Sequence, residues 1–169
     1  MFNTMTMYRL TARQYLPIAP REAWNFLSKP ENLQKITPRH MGFEILSGAE
    51  GPMYEGQIIH YTVAPFPGFR TRWVTEITHL REGSYFVDEQ RFGPYSFWHH
   101  KHFVSEVANG TEMRDIIDYK LPLGFMGNLA QTLFVRRQLT GIFQYREKTL
   151  EATFGTLPGR PSELNIETI

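Results

Sequence analysis

Trp98-His-His-Lys-His-Phe-Val-Ser-Glu-Val-Ala-Asn-Gly-Thr-Glu-Met-Arg-Asp-Ile-Ile-Asp-Tyr-Lys-Leu-Pro122 reads as a β-hairpin. Two runs of alternating character flank Asn109-Gly110, the dipeptide that best tolerates the positive φ angles of a two-residue turn. Centring the turn there pairs Ala108 with Thr111, Val104 with Asp115, His102 with Ile117, His100 with Tyr119 and Trp98 with Leu121. Side chains alternate across a strand, so Trp98, His100, His102, Asp115 and Tyr119 share one face. Phe103, Lys101 and His99 take the other, opposite Ile116, Asp118 and Lys120, with Lys101 and Asp118 placed for a surface ion pair. An aromatic face carrying titratable groups has the character of a ligand-cavity wall.

Elements on either side extend the pattern. Tyr8 to Leu16 alternates as a strand that Pro17 and Pro20 stop. Pro20 opens a short helix through Leu27, with Ala23, Trp24 and Leu27 on one side, and a second short helix runs over Glu31 to Ile36. Strands follow at Phe43–Ser47, Gly56–Val63, Arg70–Leu80, Tyr85–Phe92, Phe97–Val107 and Gly110–Leu121, with no helix among them. From about Asn128 to Phe154, Leu133, Leu139, Ile142, Phe143, Leu150 and Phe154 recur near helical spacing, while Arg136, Arg137, Arg146 and Lys148 fall mostly elsewhere. A helix of that length would run about 40 Å. Gly155 is a natural stop. The sequence divides into residues 1–7 as a flexible N-terminus, 8–154 as a single domain, and 155–169 as a poorly ordered tail.

Composition narrows the function classes. The 169 residues contain no cysteine, which excludes disulfides, thiol catalysis and cysteine-ligated metal. A net charge of +1 gives no electrostatic pull toward nucleic acid or anionic membrane. No apolar run approaches the roughly 20 residues of a spanning helix, and the N-terminus has no signal pattern, so the expectation is a cytoplasmic protein without integral membrane association. Aromatics at 14% suit a cavity lined by large, weakly polar side chains.

Strand, two short helices, six strands and one long helix, together with certain local stretches, resemble the START-like superfamily, also called SRPBCC or Bet v 1-like. The stretches are Ile36-Thr-Pro38, Trp73 with Thr75 and Ile77, Asp88-Glu-Gln90 before Gly93-Pro94-Tyr95, and Trp98-x-His100-x-His102. Asp115-x-x-Asp118-Tyr119-x-Leu121-Pro122 and Leu133 to Leu139 complete the set. The resemblance covers Tyr8 to Phe154 and is nearest to bacterial ligand-binding SRPBCC proteins of the polyketide cyclase/dehydrase-like group. It implies an α+β helix-grip fold, a curved seven-stranded antiparallel sheet wrapped around a long C-terminal helix with a cavity between them.

A turn at Glu82-Gly83 pairs Leu80 with Tyr85 and sets Trp73, Thr75 and Ile77 on the face of Phe86, Asp88 and Gln90. That face continues into Trp98 and His100 if the Gly93-Pro94 connection is odd in length or bulged; an even loop would turn Glu89 and Arg91 inward instead. The ligand-binding set is then Trp73, Asp88, Gln90, Trp98, His100, His102, Asp115 and Tyr119. A neutral imidazole both donates and accepts, and a neighbouring carboxylate fixes its tautomer, so His100 and His102 with Asp115 suit positioning of a ligand carbonyl or hydroxyl. The same three are the catalytic candidates if the protein is an enzyme. His99 points away from His100 and His102, so a metal would need Asp115 or Asp88 as third ligand, and neither metal nor other cofactor is expected. Apolar loops at Thr37-Pro38 with Met41 and Phe43, at Ala64 to Phe69 and at Leu123-Gly-Phe-Met126 are expected to rim an entrance or to form a homodimer contact.

Three functional readings follow. The first is a binding module for a small hydrophobic or amphipathic molecule, and the second a cyclase, aromatase or dehydratase acting on a polyketide-like molecule. The third is an accessory interaction domain with a vestigial cavity, which a filled interior with no continuous void under the long helix would support over the other two.

Overall fold

The computed structural model describes residues 6–66, 68–122, 129 and 134–169, without the side chains of Pro65 and Phe66. An antiparallel sheet carries the architecture. Its strands are β1 (Tyr8–Leu16), β2 (Glu44–Ser47), β3 (Ile58–Phe66), β4 (Phe69–Arg81), β5 (Tyr85–Phe92), β6 (Phe97–Val107), β7 (Gly110–Lys120) and β8 (Glu163–Thr168). The order across the sheet is β2-β3-β4-β5-β6-β7-β1-β8. Helices α1 (Pro20–Leu27) and α2 (Pro30–Lys35) lie between β1 and β2, each with proline in its first turn, where a missing N–H costs nothing. Helix α3 (Arg136–Phe154) follows β7 and ends at Gly155, which takes φ +90°.

The sheet has eight strands, one more than the sequence reading. The extra one is β8, built from the segment expected to be an unstructured tail. It pairs along β1 from Tyr8↔Thr168 to Arg13↔Glu163 and buries Ile166 beside Leu10. Leu164 and Ile166 alternate with polar residues as an edge strand requires. Residues 1–5 of the expected flexible N-terminus lie outside the described residues, as do Asn128, Leu133 and the loop Leu123-Gly-Phe-Met126. The 19 residues of α3 span about 28 Å.

The β6–β7 register is displaced by two residues from the expected one. Val107 pairs with Gly110, so the turn is Ala108-Asn109, and Asn109 alone among the described non-glycine residues takes positive φ, at +64°. Gly110 answers a different demand: a Cβ there would stand 2.2 Å from the carbonyl oxygen of Leu16. In consequence Trp98 faces Tyr119, His100 faces Ile117 and His102 faces Asp115. Because the shift is even, no side chain changes face. Lys101 still reaches Asp118, at 2.7 Å, on the outer side, where Arg9 also holds that carboxylate.

Between β4 and β5, Leu80 faces Phe86 rather than Tyr85, and a bulge between Ile77 and His79 restores the expected pairs Ile77↔Asp88 and Thr75↔Gln90. Further shifts interrupt β2–β3 and β3–β4, and such bulges bend a sheet and increase its twist. The apolar interior divides into separate clusters. Leu16, Trp24, Ile77, Phe86 and Leu150 form one, Leu10, Ile117, Tyr119, Leu139 and Phe143 a second, and Phe43, Val63 and Trp73 a third. A cavity lies among them.

Candidate functional site

The cavity has a volume of about 520 Å³, within the range of pockets that hold drug-sized molecules. Sheet residues Ile59, Tyr61, Trp73, Ile77 and Phe86 line it, as do Leu139, Ile142 and Phe143 of α3. Thr37, Met41, Phe43 and Phe69, from the loops expected at an entrance, also contribute. The interior is hollow, whereas a filled one would have supported the vestigial-cavity reading.

Of the eight expected ligand-binding residues, Trp73, Asp88, Trp98, His100 and His102 line this space. The choice of Asp88 over Glu89 is settled by the ladder: Asp88 lies directly across from His100, while Glu89 pairs with His99 on the outer face. Arg91 binds Glu76 and Glu89 there. Gln90, Asp115 and Tyr119 share the inner face but do not line the cavity. Gln90 donates from Nε2 to the Tyr95 carbonyl at 2.7 Å and accepts from the Tyr95 amide at 3.1 Å, which commits it to the Gly93-Pro94 turn. Tyr119 is fully buried, packed against Tyr8, Tyr95 and Trp98.

Asp115 stands behind the histidines. His100 Nε2 lies 2.9 Å from Asp115 Oδ1, and His102 Nδ1 lies 2.8 Å from the same oxygen. The first is an aligned hydrogen bond; the second is an ionic contact with poor N–H direction. On the cavity side, His102 Nε2 is 2.7 Å from Asp88 Oδ2, and His100 Nδ1 is 3.6 Å from it. The imidazoles lie with centroids 3.7 Å apart and planes tilted by 35°, and Phe86 stacks on His102 at 4.2 Å. His100 and His102 lie two apart on β6 and each faces one inward residue on either neighbouring strand, Asp88 and Phe86 on β5 and Ile117 and Asp115 on β7, so each strand contributes one aspartate.

Arg146 of α3 completes the cluster. Expected away from the apolar stripe, it is only 6% exposed, with a guanidinium nitrogen 3.2 Å from Asp115 Oδ2. The sequence did carry a signal: Leu139, Phe143, Arg146 and Leu150 follow helical spacing, so the arginine occupies the core stripe itself. Tyr61 and Tyr95 also line the cavity and were not singled out. Inward alternation of Ile59, Tyr61 and Val63 along β3 would have identified the first.

The ionisation states follow from these contacts. Burial pushes the Asp115 carboxyl up, but Arg146 and the two histidines more than offset this and hold it well below 3.8. Asp88 is also held below 3.8, with burial opposed by His100 and His102. Burial likewise disfavours His102 as a cation, yet contact with two carboxylates raises it above 6.5. Burial and the adjacent His102 charge drive His100 below 6.5. Where His102 holds a proton and His100 does not, the two carboxylates balance His102 and Arg146 and the cluster sums to zero, the arrangement that burial favours.

An aromatic wall adjoins the cluster. Trp73 packs edge-on against Trp98 at 5.2 Å and parallel to Tyr61 at 5.9 Å, and Tyr95 lies 4.7 Å from Trp98. The indole N–H of Trp73 is buried without a hydrogen-bond partner among the described residues. Such an arrangement can grip an apolar body, offer a donor to it, and present imidazole and carboxylate groups to its polar end. Asp88, His100 and His102 also bring three potential metal-ligating atoms within 4.8 Å of one another.

A family model described as polyketide cyclase / dehydrase and lipid transport matches residues 16–143. No curated protein matches the chain. Among solved structures, the fold is similar to that of TTHA0849 from Thermus thermophilus, at TM-score 0.65 and 14% identity, covering 86% of this chain and 98% of that one. A START superfamily protein from Mycobacterium smegmatis gives TM-score 0.65 at 12% identity, covering 87% and 97%. Ginseng major latex-like protein 151 from Panax ginseng gives 0.63 at 14%, covering 88% and 97%. At these identities the likeness concerns the fold alone. With three quarters of its length matched by the family model, on an eight-stranded version of the helix-grip fold, the chain belongs to the polyketide cyclase / dehydrase and lipid transport family of the START-like superfamily.

Proposed function

We propose that the protein binds a small amphipathic molecule between its sheet and α3. The observation that carries this reading is the distribution of charge around the cavity. Its wall is largely apolar, and the charged or titratable acid, imidazole and guanidinium groups on it, Asp88, His100, His102 and Arg146, belong to one cluster. A guest would lay its apolar body against Trp73, Trp98 and the aliphatic residues, and turn a hydroxyl or carbonyl toward the Asp88–histidine end. Because that cluster is already neutral, an uncharged polar group suits it better than an ionised one.

Native mass spectrometry of protein purified from its own source tests this. A one-to-one complex with a co-purifying organic molecule is expected. Protein that emerges empty and takes up no amphiphile on subsequent titration would count against it.

A second reading is favoured by His102, which lies on the cavity wall between two carboxylates in the manner of an oriented acid/base group. In that reading the chain catalyses a cyclase- or dehydratase-type reaction on a polyketide-like guest, with Asp115 as the positioning residue. Turnover that is pH-dependent and lost in His100→Ala and His102→Ala, with guest affinity retained, would distinguish it from simple binding.

A further inference from the structure

The same cluster has the geometry of a metal centre. Both imidazoles place one nitrogen on a single carboxylate, Asp115, at 2.9 and 2.8 Å. Both turn the remaining nitrogen toward Asp88, at 3.6 Å for His100 Nδ1 and 2.7 Å for His102 Nε2. Metal-binding histidines characteristically donate their second N–H to a carboxylate that fixes ring orientation; Asp115 does this for His100 and stands in ionic contact with His102. Arg146 in turn anchors Asp115 from α3.

The dimensions agree. Metal–nitrogen and metal–oxygen bonds of about 2.0–2.2 Å put neighbouring ligand atoms roughly 2.9–3.4 Å apart for angles between octahedral and tetrahedral. For the two carboxylate–imidazole pairs the observed 2.7 and 3.6 Å bracket that interval, and all three ligand atoms lie within 4.8 Å of one another. Asp88 and His100 are direct cross-strand partners, and His102 is clamped by Phe86, so the three ligands stand on paired strands and not on loops.

We propose that Asp88, His100 and His102 bind one divalent transition-metal ion at the inner end of the cavity. Two imidazoles and one carboxylate select ions of the zinc, iron and cobalt class over calcium or magnesium. The ion takes the place of the proton that lies between His102 and Asp88, which leaves to solvent. All three ligands line the cavity, so the open coordination positions face it. The ion's seat does not depend on the binding reading above; a guest oxygen completing its coordination does.

Cobalt(II) is the probe, added to tag-free protein stripped with chelator, with visible absorption and calorimetry as readouts. One equivalent is expected to give d–d bands. Asp88→Asn should abolish them, and Asp115→Asn should weaken binding about 10- to 100-fold by loosening the rings. His60→Ala, at an exposed site, should change nothing. Far-UV circular dichroism establishes that each variant is folded. Independently of any variant, imidazole nitrogen resonances of His100 and His102 in the wild-type protein should show large paramagnetic shifts. Absence of one-equivalent binding, shifts confined to His40, His60 or His79, or unchanged affinity in folded Asp88→Asn would overturn the proposal. Amphiphile uptake measured in the chelator-stripped protein reports separately on the binding reading.

Discussion

Replacing Asp115 with asparagine preserves its shape and removes its charge, which makes the five-residue cluster a quantitative test of the electrostatics. In the wild type, Arg146 and His102 are balanced by Asp88 and Asp115. After the change, two buried cations face one anion until His102 gives up its proton, and Arg146 then has no anionic partner at its end of the cluster. At an effective dielectric near 20, a contact of 3.2 Å between unit charges corresponds to about 5 kcal/mol. Breaking buried pairs by removing one member costs about 3–5 kcal/mol, in agreement. For a chain of this size each kcal/mol shifts Tm by about 2–4 °C, so a fall of roughly 6–20 °C is expected. Urea denaturation followed by circular dichroism in the presence of chelator gives the free energy directly. Adding Arg146→Met to Asp115→Asn should recover part of the loss, with a coupling of about 2 kcal/mol in a double-mutant cycle. A loss below about 1 kcal/mol, or strictly additive variants, would refute the reasoning.

Further outcomes follow from the same geometry. Ile142→Trp, at a half-buried lining position of α3, should abolish guest uptake by filling the cavity while circular dichroism shows the fold retained; unaltered uptake would place the guest elsewhere. Stability should depend on pH in both directions. The aspartates, held below 3.8, contribute above that value and lose their contribution as pH falls through their folded-state values. His102, held above 6.5, contributes fully below 6.5 and loses its contribution as pH rises through its folded-state value, so His102→Gln should flatten the alkaline side of a denaturation-midpoint profile; an unchanged alkaline decline would be inconsistent. Gly110→Ala should destabilise the fold by about 1–3 kcal/mol through its clash with Leu16, whereas Asn109→Gly should be almost neutral; the reverse order would restore the Asn109-Gly110 turn.

What could be read from the chain was whatever depends on local alternation. Strand parity put Trp98, His100, His102 and Asp115 on one face, and a register error of two residues left that grouping intact. The error arose because the glycine after Asn109 is required by Leu16, more than ninety residues away in sequence, and not by its own backbone angles. Arg146 reads as a solvated residue because a lone buried cation is costly, and the carboxylate that makes its burial tolerable lies on β7. Gln90 was placed on the correct face, yet the Gly93-Pro94 turn claims its hydrogen bonds before a ligand can. For β8 the alternation of Leu164 and Ile166 was present, but Pro158, Gly159 and Pro161 just before it suggested disorder, and its partner β1 lies at the opposite end of the chain.

The central claim is that the space beneath α3 receives a guest whose polar end meets Asp88 and the histidines. A crystal structure of the protein with a long-chain aliphatic alcohol brominated at its far end would locate both ends of such a guest. Anomalous scattering should place the bromine among the apolar residues of the cavity, with the hydroxyl oxygen within hydrogen-bonding distance of Asp88, His100 or His102. Bromine found only on the outer surface, or a guest lying with its hydroxyl away from the cluster, would contradict the account.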